Sequence, residues 1–133
     1  MYSITVRNNI LIAHSLPGEV FGPAQNMHGA TYVVDAEFFA ENVNKYNIIM
    51  DLGVVTDILS EVLKFYSYKN LDEVDAFKGI ITSTEFLAKD IHDRICSKLI
   101  SNYYKDYQLL HKLKITLTES NVAWASFEQE IEK

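Results

Sequence analysis

The chain of 133 residues contains one cysteine, Cys96. A lone thiol excludes an internal disulfide and a zinc cluster built on thiolates. Positive charge is scarce as well: 12 Lys and Arg stand against 18 Asp and Glu, a formal net charge of −6, with a pI near 5.1. The basic side chains are scattered rather than clustered, so the phosphate-neutralising surface of a nucleic-acid binder is missing. No uninterrupted apolar run approaches the roughly 20 residues of a membrane span. The start, Met1-Tyr2-Ser3-Ile4-Thr5-Val6-Arg7, lacks the basic opening and long apolar stretch of a signal peptide, which leaves a cytoplasmic setting as the expectation. What is abundant is apolar surface: 48% of residues are hydrophobic and only 23% are charged. That composition can bury a core, and the length is common for one domain, so residues 1–133 are expected to form a single domain.

Ile, Val and Thr dominate from about Ser3 to His14, predicting a strand with a bulge or break at Asn8-Asn9. A loop follows, carrying the turn signals Pro17-Gly18 and Gly22-Pro23, and a second strand alternates from Thr31 to about Phe38. Ile48-Ile49-Met50 is a short apolar piece ending at Asp51. From Val54 the period lengthens: Val54/Val55, Ile58/Leu59, Val62/Leu63 and Tyr66 recur at three and four residues, as on an amphipathic helix. Thr82-Ser83-Thr84-Glu85 reads as a capping box, with Thr82 as cap, opening a second helix whose buried stripe is Leu87, Ile91, Ile95 and Leu99. Leu113 to Glu119 and Val122 to Phe127 alternate as a terminal hairpin turning at Ser120-Asn121.

The order strand, strand, helix, helix, strand, strand predicts an α+β fold: a four-stranded antiparallel sheet with two helices on one face. Val33, Ala123, Ala125 and Phe127 fall in the opposite phase. They would keep the second face from being uniformly polar and suit it to a subunit contact.

Three polar residues continue apolar phases at strand ends. His14 follows Ile10 and Ile12, His28 is in phase with Tyr32 and Val34, and Glu119 follows Leu113, Ile115 and Leu117. Two imidazoles and a carboxylate on one side of a sheet can hold a divalent metal or a small polar ligand. His92 and His111 have no such company and read as core or surface histidines.

Taken in order, Ile12-Ala13-His14, His28-Gly29, Thr82-Ser83-Thr84-Glu85, Thr118-Glu119-Ser120 and Ala123-Trp124-Ala125-Ser126-Phe127 resemble the 6-pyruvoyl-tetrahydropterin synthase family, which includes 6-carboxy-tetrahydropterin synthases. The resemblance runs from about Ile4 to Glu128. It implies the tunnelling fold, with subunits joined edge to edge as trimers around a β-barrel, trimers stacked as a homo-hexamer, and active sites at subunit interfaces.

It also implies zinc as cofactor, with His14 and His28 as metal ligands; the family's third histidine position is Ala30 here, and Glu19 or Gln25 are conceivable substitutes. The family's catalytic cysteine would stand near Ala24, so thiolate chemistry is excluded there. Its catalytic Asp-His pair falls on Asp72 and Glu73. Glu119 matches the pterin anchor, and Thr82 with Ser83 matches a second pterin-contacting segment. The function implied is binding of a small-molecule dihydropterin and metal-dependent lyase action on the C6 side chain of a dihydroneopterin-type substrate, by non-standard catalytic residues. A pterin- or purine-binding homologue without catalysis is the alternative, and a structural barrel without ligand a third reading.

Overall fold

A computed structural model describes residues 1–133. Two long strands, β1 (Tyr2–His14) and β2 (His28–Ala40), form an antiparallel pair. They are followed by α1 (Leu52–Leu63), the two-residue strand β3 (Lys69–Asn70), α2 (Thr84–Asn102), β4 (Lys112–Ser120) and β5 (Ala123–Glu130). The sheet order is β3-β1-β2-β4-β5, with β3 parallel to β1 and every other pairing antiparallel. The expected four strands are therefore present, and a fifth, very short one makes the sheet mixed. Two residues carry no periodicity, so β3 left no trace in the hydrophobic pattern.

The alternation of each long strand decides which face it buries. Ile10, Ile12 and His14 on β1, Tyr32, Val34, Ala36 and Phe38 on β2, and Leu113, Ile115 and Leu117 on β4 all turn toward the helices. Asn8-Asn9 does not break β1: pairing with β2 runs in one register from Tyr2 opposite Ala40 to His14 opposite His28. Ile48-Ile49-Met50 forms no strand, but Ile49 and Met50 enter the core.

α1 starts at Asp51, whose carboxylate accepts the Val54 N–H at 3.0 Å. α2 starts at Ser83, one residue later than expected: the Ser83 hydroxyl accepts from the Phe86 N–H at 3.1 Å. The predicted stripe Leu87, Ile91, Ile95 and Leu99 is buried, joined by Ala88 and His92. α1 lies over β1, and α2 over β4 and β5. One cluster of 28 buried residues fills the space between them.

The opposite face carries Val33 as expected but not Ala125 or Phe127. Ala125 pairs with Leu117 and Phe127 with Ile115, so both share the helix-covered face. Phe127 packs edge-on against His92, the ring centroids 5.0 Å apart. The open face mixes apolar Leu11, Val33 and Trp124 with polar pairs: Arg7 with Asp35 at 2.7 Å, Ser3 donating to Glu37 at 2.9 Å, and Lys112 with Glu128 at 2.6 Å.

Candidate functional site

His14 ends β1 and His28 begins β2, directly opposite one another in the register. Cross-strand partners share a face, and the two imidazoles meet edge to face with centroids 4.6 Å apart. Each ring is held at Nδ1. The His28 Nδ1–H donates to the Asn26 carbonyl at 2.9 Å, and His14 Nδ1 lies 3.0 Å from the Thr82 hydroxyl. Both His14 and Thr82 are about 1% exposed. Burial pushes the His14 pKa down and the neighbouring His28 adds to this, against smaller opposing contributions from Asp72 and Thr82, so His14 is neutral at physiological pH. Neither Nε2 has a hydrogen-bond partner within the chain; His14 is buried and His28 half-buried.

Asp72 and Glu73, expected together as catalytic groups, are separated in role by the short 3-10 turn Leu71–Glu73 that carries them. Glu73 is exposed. The Asp72 carboxylate accepts the Ser15 N–H at 3.0 and 3.3 Å and the Ser15 hydroxyl at 2.5 Å, while the Asp72 N–H donates to Asn70. Asp72 thus clamps the chain leaving β1 to the segment after β3. Ser15 escaped sequence reading because its partner is 57 residues away.

Glu119 sits on a β-bulge. Thr118 faces Trp124 and Ser120 faces Ala123, leaving Glu119 without a cross-strand partner at the end of β4. Bulges re-aim side chains. The neighbour that registers Glu119 is Tyr32, whose hydroxyl is 3.4 Å from Thr84 Oγ1. Burial raises the Tyr32 pKa first; the Thr84 contact lowers it, and the negative charges of Glu119 and Glu85 raise it further. With Ser83 as the cap and no hydrogen bond from Glu85 back to Thr82, the expected capping box does not form. Ser83, expected to touch ligand, is the helix cap, and Thr82, expected to cap, is the partner of His14.

On β2 the residues His28, Ala30 and Tyr32 follow one another on a single face, about 13 Å from first to last at strand rise. The imidazole pair lies at one end of this track and Glu119 at the other. A groove of about 500 Å³ beside Glu61, Asp90 and Lys98, and an apolar pocket of about 300 Å³ beside Tyr2 and Ile48, are lined by none of these residues.

The model of the family described as 6-pyruvoyl tetrahydropterin synthase matches residues 3–130. The chain belongs to the 6-pyruvoyl tetrahydropterin synthase family. Solved structures of similar fold include 6-pyruvoyl tetrahydropterin synthase from Caenorhabditis elegans, with a TM-score of 0.81, 23% identity, and coverage of 96% of this chain and 95% of that one. The Plasmodium vivax and Plasmodium falciparum synthases each superpose with a TM-score of 0.78 at 15% identity, over 98% of both chains. A further P. vivax structure, with a TM-score of 0.79 at 15% identity and 98% coverage of each chain, carries alanine in place of a catalytic glutamate. At these identities the likeness establishes the tunnelling fold. No curated protein matches the chain.

Family membership implies zinc, and the side chains present test it. Catalytic zinc sites use three protein donors. His14 and His28 supply two, Ala30 a methyl group. Gln25 donates its amide to the Gly22 carbonyl at 3.1 Å, and Glu19 is exposed on the loop. Nowhere do three His, Cys, Asp or Glu side chains gather as a metal-binding group. The expected zinc held by His14 and His28 is thus one protein donor short, and these residues do not fit a resident ion.

Proposed function

We propose that this chain is a dihydropterin-binding member of the family in which the ordinary 6-pyruvoyl-forming reaction is slow or lost. The observation that carries the reading is the exposed Glu119 on the β4 bulge, one residue past the Val33–Thr118 pair and so beside Tyr32, whose hydroxyl lies 3.4 Å from Thr84 at the start of α2. An amino-pyrimidinone edge presents parallel N–H donors, and a carboxylate accepts two of them at once. The side chain at C6 then extends along β2, past Ala30, toward the two imidazoles.

The same geometry argues against efficient chemistry. A general base needs a free lone pair within reach of the substrate proton. Both Asp72 oxygens are committed to the Ser15 clamp, and the cysteine position near Ala24 holds no thiol.

Calorimetric titration with 7,8-dihydroneopterin tests the binding. Glu119→Gln replaces one acceptor oxygen with a donor and should weaken affinity about tenfold, or ~1.4 kcal/mol. Equal affinity in both proteins would remove Glu119 from the site, and absence of binding to the wild type would overturn the proposal. The second reading, a lyase acting through a carboxylate, is favoured by the catalytic glutamate of the P. vivax protein. Conversion of 7,8-dihydroneopterin triphosphate at enzymatic rates, lost in Glu73→Gln or Asp72→Asn, would establish it in place of the first.

A further inference from the structure

We infer that the apolar pocket beside the first residues of β1 binds a small primary amine with an aromatic body, held as its ammonium ion by Asp51. Tyr2 and His14 stand at opposite ends of β1, about 40 Å apart at strand rise. The pocket is therefore remote from the site described above, and the inference does not depend on the pterin reading.

The walls come from two parts of the chain. β1 supplies Tyr2, Ser3 and Ile4, and the connection from β2 into α1 supplies Val43 and residues 47–52. They surround about 300 Å³, the lower end of the range for small-ligand pockets. Ile49 and Met50 are anchored in the core, whereas Tyr2, Ile48 and Leu52 are 54%, 41% and 56% exposed. Single exposed apolar side chains are ordinary, but several gathered around one concavity mark a place of binding. The volume takes one ring with a short linker. A peptide helix, about 10 Å across, does not enter it.

Charge selects the ligand. Asp51 lines the same pocket; its Oδ2 accepts the Val54 N–H at 3.0 Å, and its other oxygen takes no hydrogen bond from the chain. No Lys, Arg or His pairs with this carboxylate, and none lines the pocket. Gly53 follows in the first turn of α1, where a Cβ would stand 3.0 Å from Asp51 Oδ2, so the missing side chain leaves the carboxylate uncrowded. An unpaired carboxylate beside apolar walls repels anions and favours an ammonium, whose charge-assisted hydrogen bond is stronger than a neutral one. The Asn47 side chain also lines the pocket without a partner in the chain, and its carbonyl can accept a second ammonium proton. Tyr2 offers the ligand's ring an aromatic neighbour.

Calorimetric titration of the intact protein with 2-phenylethylamine, 2-phenylethanol and 3-phenylpropionate separates charge from shape. The amine should bind with a Kd below about 0.1 mM, the alcohol about tenfold more weakly, and the acid not at all. Asp51→Asn removes the charge and keeps α1 capped, because Asn caps a helix as well as Asp does. It should weaken the amine about tenfold and leave the alcohol unchanged, which also reports that the variant is folded. Asp57→Asn, at an exposed carboxylate of α1 outside the pocket, should change neither. Ile48→Ser should weaken both, since both place their ring against the apolar lining.

Equal affinity for amine and alcohol, or an amine affinity untouched by Asp51→Asn, would overturn the assignment of a cation. An equal loss in Asp57→Asn would trace the effect to the chain's overall negative charge and overturn the site. No amine binding at millimolar concentration would overturn the inference outright, whatever the result with dihydroneopterin.

Discussion

Ser15 and Asp72 tie the exit of β1 to the turn after β3 with three hydrogen bonds to a single carboxylate. Hydrogen bonds to charged groups contribute about 1.5–3 kcal/mol when desolvated. This pair is part-buried, so Ser15→Ala should cost about 1–2 kcal/mol, seen as a lower urea midpoint with an unchanged slope. An unchanged midpoint would mean that the clamp contributes nothing.

Cys96 makes the second residue-scale prediction. Burial pushes its thiol up to about 12, with the charges of Asp93 and Glu132 adding to the rise. The folded-state pKa lies above the roughly 8.5 of an unfolded thiol. Its contribution to stability is therefore fully present below pH 8.5 or so and is lost as pH rises toward about 12. At pH 8, iodoacetamide should alkylate folded protein at least about tenfold more slowly than urea-unfolded protein; equal rates would contradict it. At this scale the sequence was partly legible. His14, His28 and Glu119 stood out because they extend apolar phases, whereas the Ser15 clamp depends on which distant segments meet, and no local pattern carries that.

The helices and long strands were readable because their burial is one-sided, and one-sided burial imprints a period on the sequence. What failed was end chemistry. Thr82 and Ser83 are adjacent hydroxyls, and either can cap a helix; the choice fell to Ser83 because Thr82 is drawn inward to His14. Ser83→Ala should therefore lower stability by about 1 kcal/mol, the usual value of such a cap, a fall in Tm of roughly 3–5 °C for a chain of this size. A Tm equal to wild type would leave α2 capped by something else. The bulge at Glu119 was equally hidden: alternation placed the residue in phase with Leu117, but a bulge interrupts phase, and the side chain is exposed beside Tyr32 rather than buried with the leucines.

At the scale of the whole molecule both edges of the sheet are open. β3 covers β1 only at Ile12 and Ala13, and the outer side of β5 has no partner from Ala123 to Glu130. Unpaired strand edges of this length are a standing invitation to association, which natural proteins either block or use. Neither β1 nor β5 carries proline or an interruption longer than the bulge. The open face mixes polar pairs with Leu11, Val33 and Trp124, and the unpaired edges add a directional drive to assemble. Joining the β5 edge of one copy to the β1 edge of the next is a heterologous contact, and with sheet twist it closes into a ring, which fits the trimer, and the hexamer of stacked trimers, that the family's tunnelling fold implies. Trp124, the chain's sole tryptophan, reports on this without labelling, because it lies on β5 and is 65% exposed in the isolated chain. Sedimentation at micromolar concentration should give a trimer or hexamer, with blue-shifted Trp124 emission that moves to the red as dilution drives dissociation. Ser126→Pro, which removes a backbone donor from the middle of β5, should shift both readouts toward monomer. A monomer with solvent-like emission at every concentration would show that the edges remain unpaired and that any ligand is held by one chain alone.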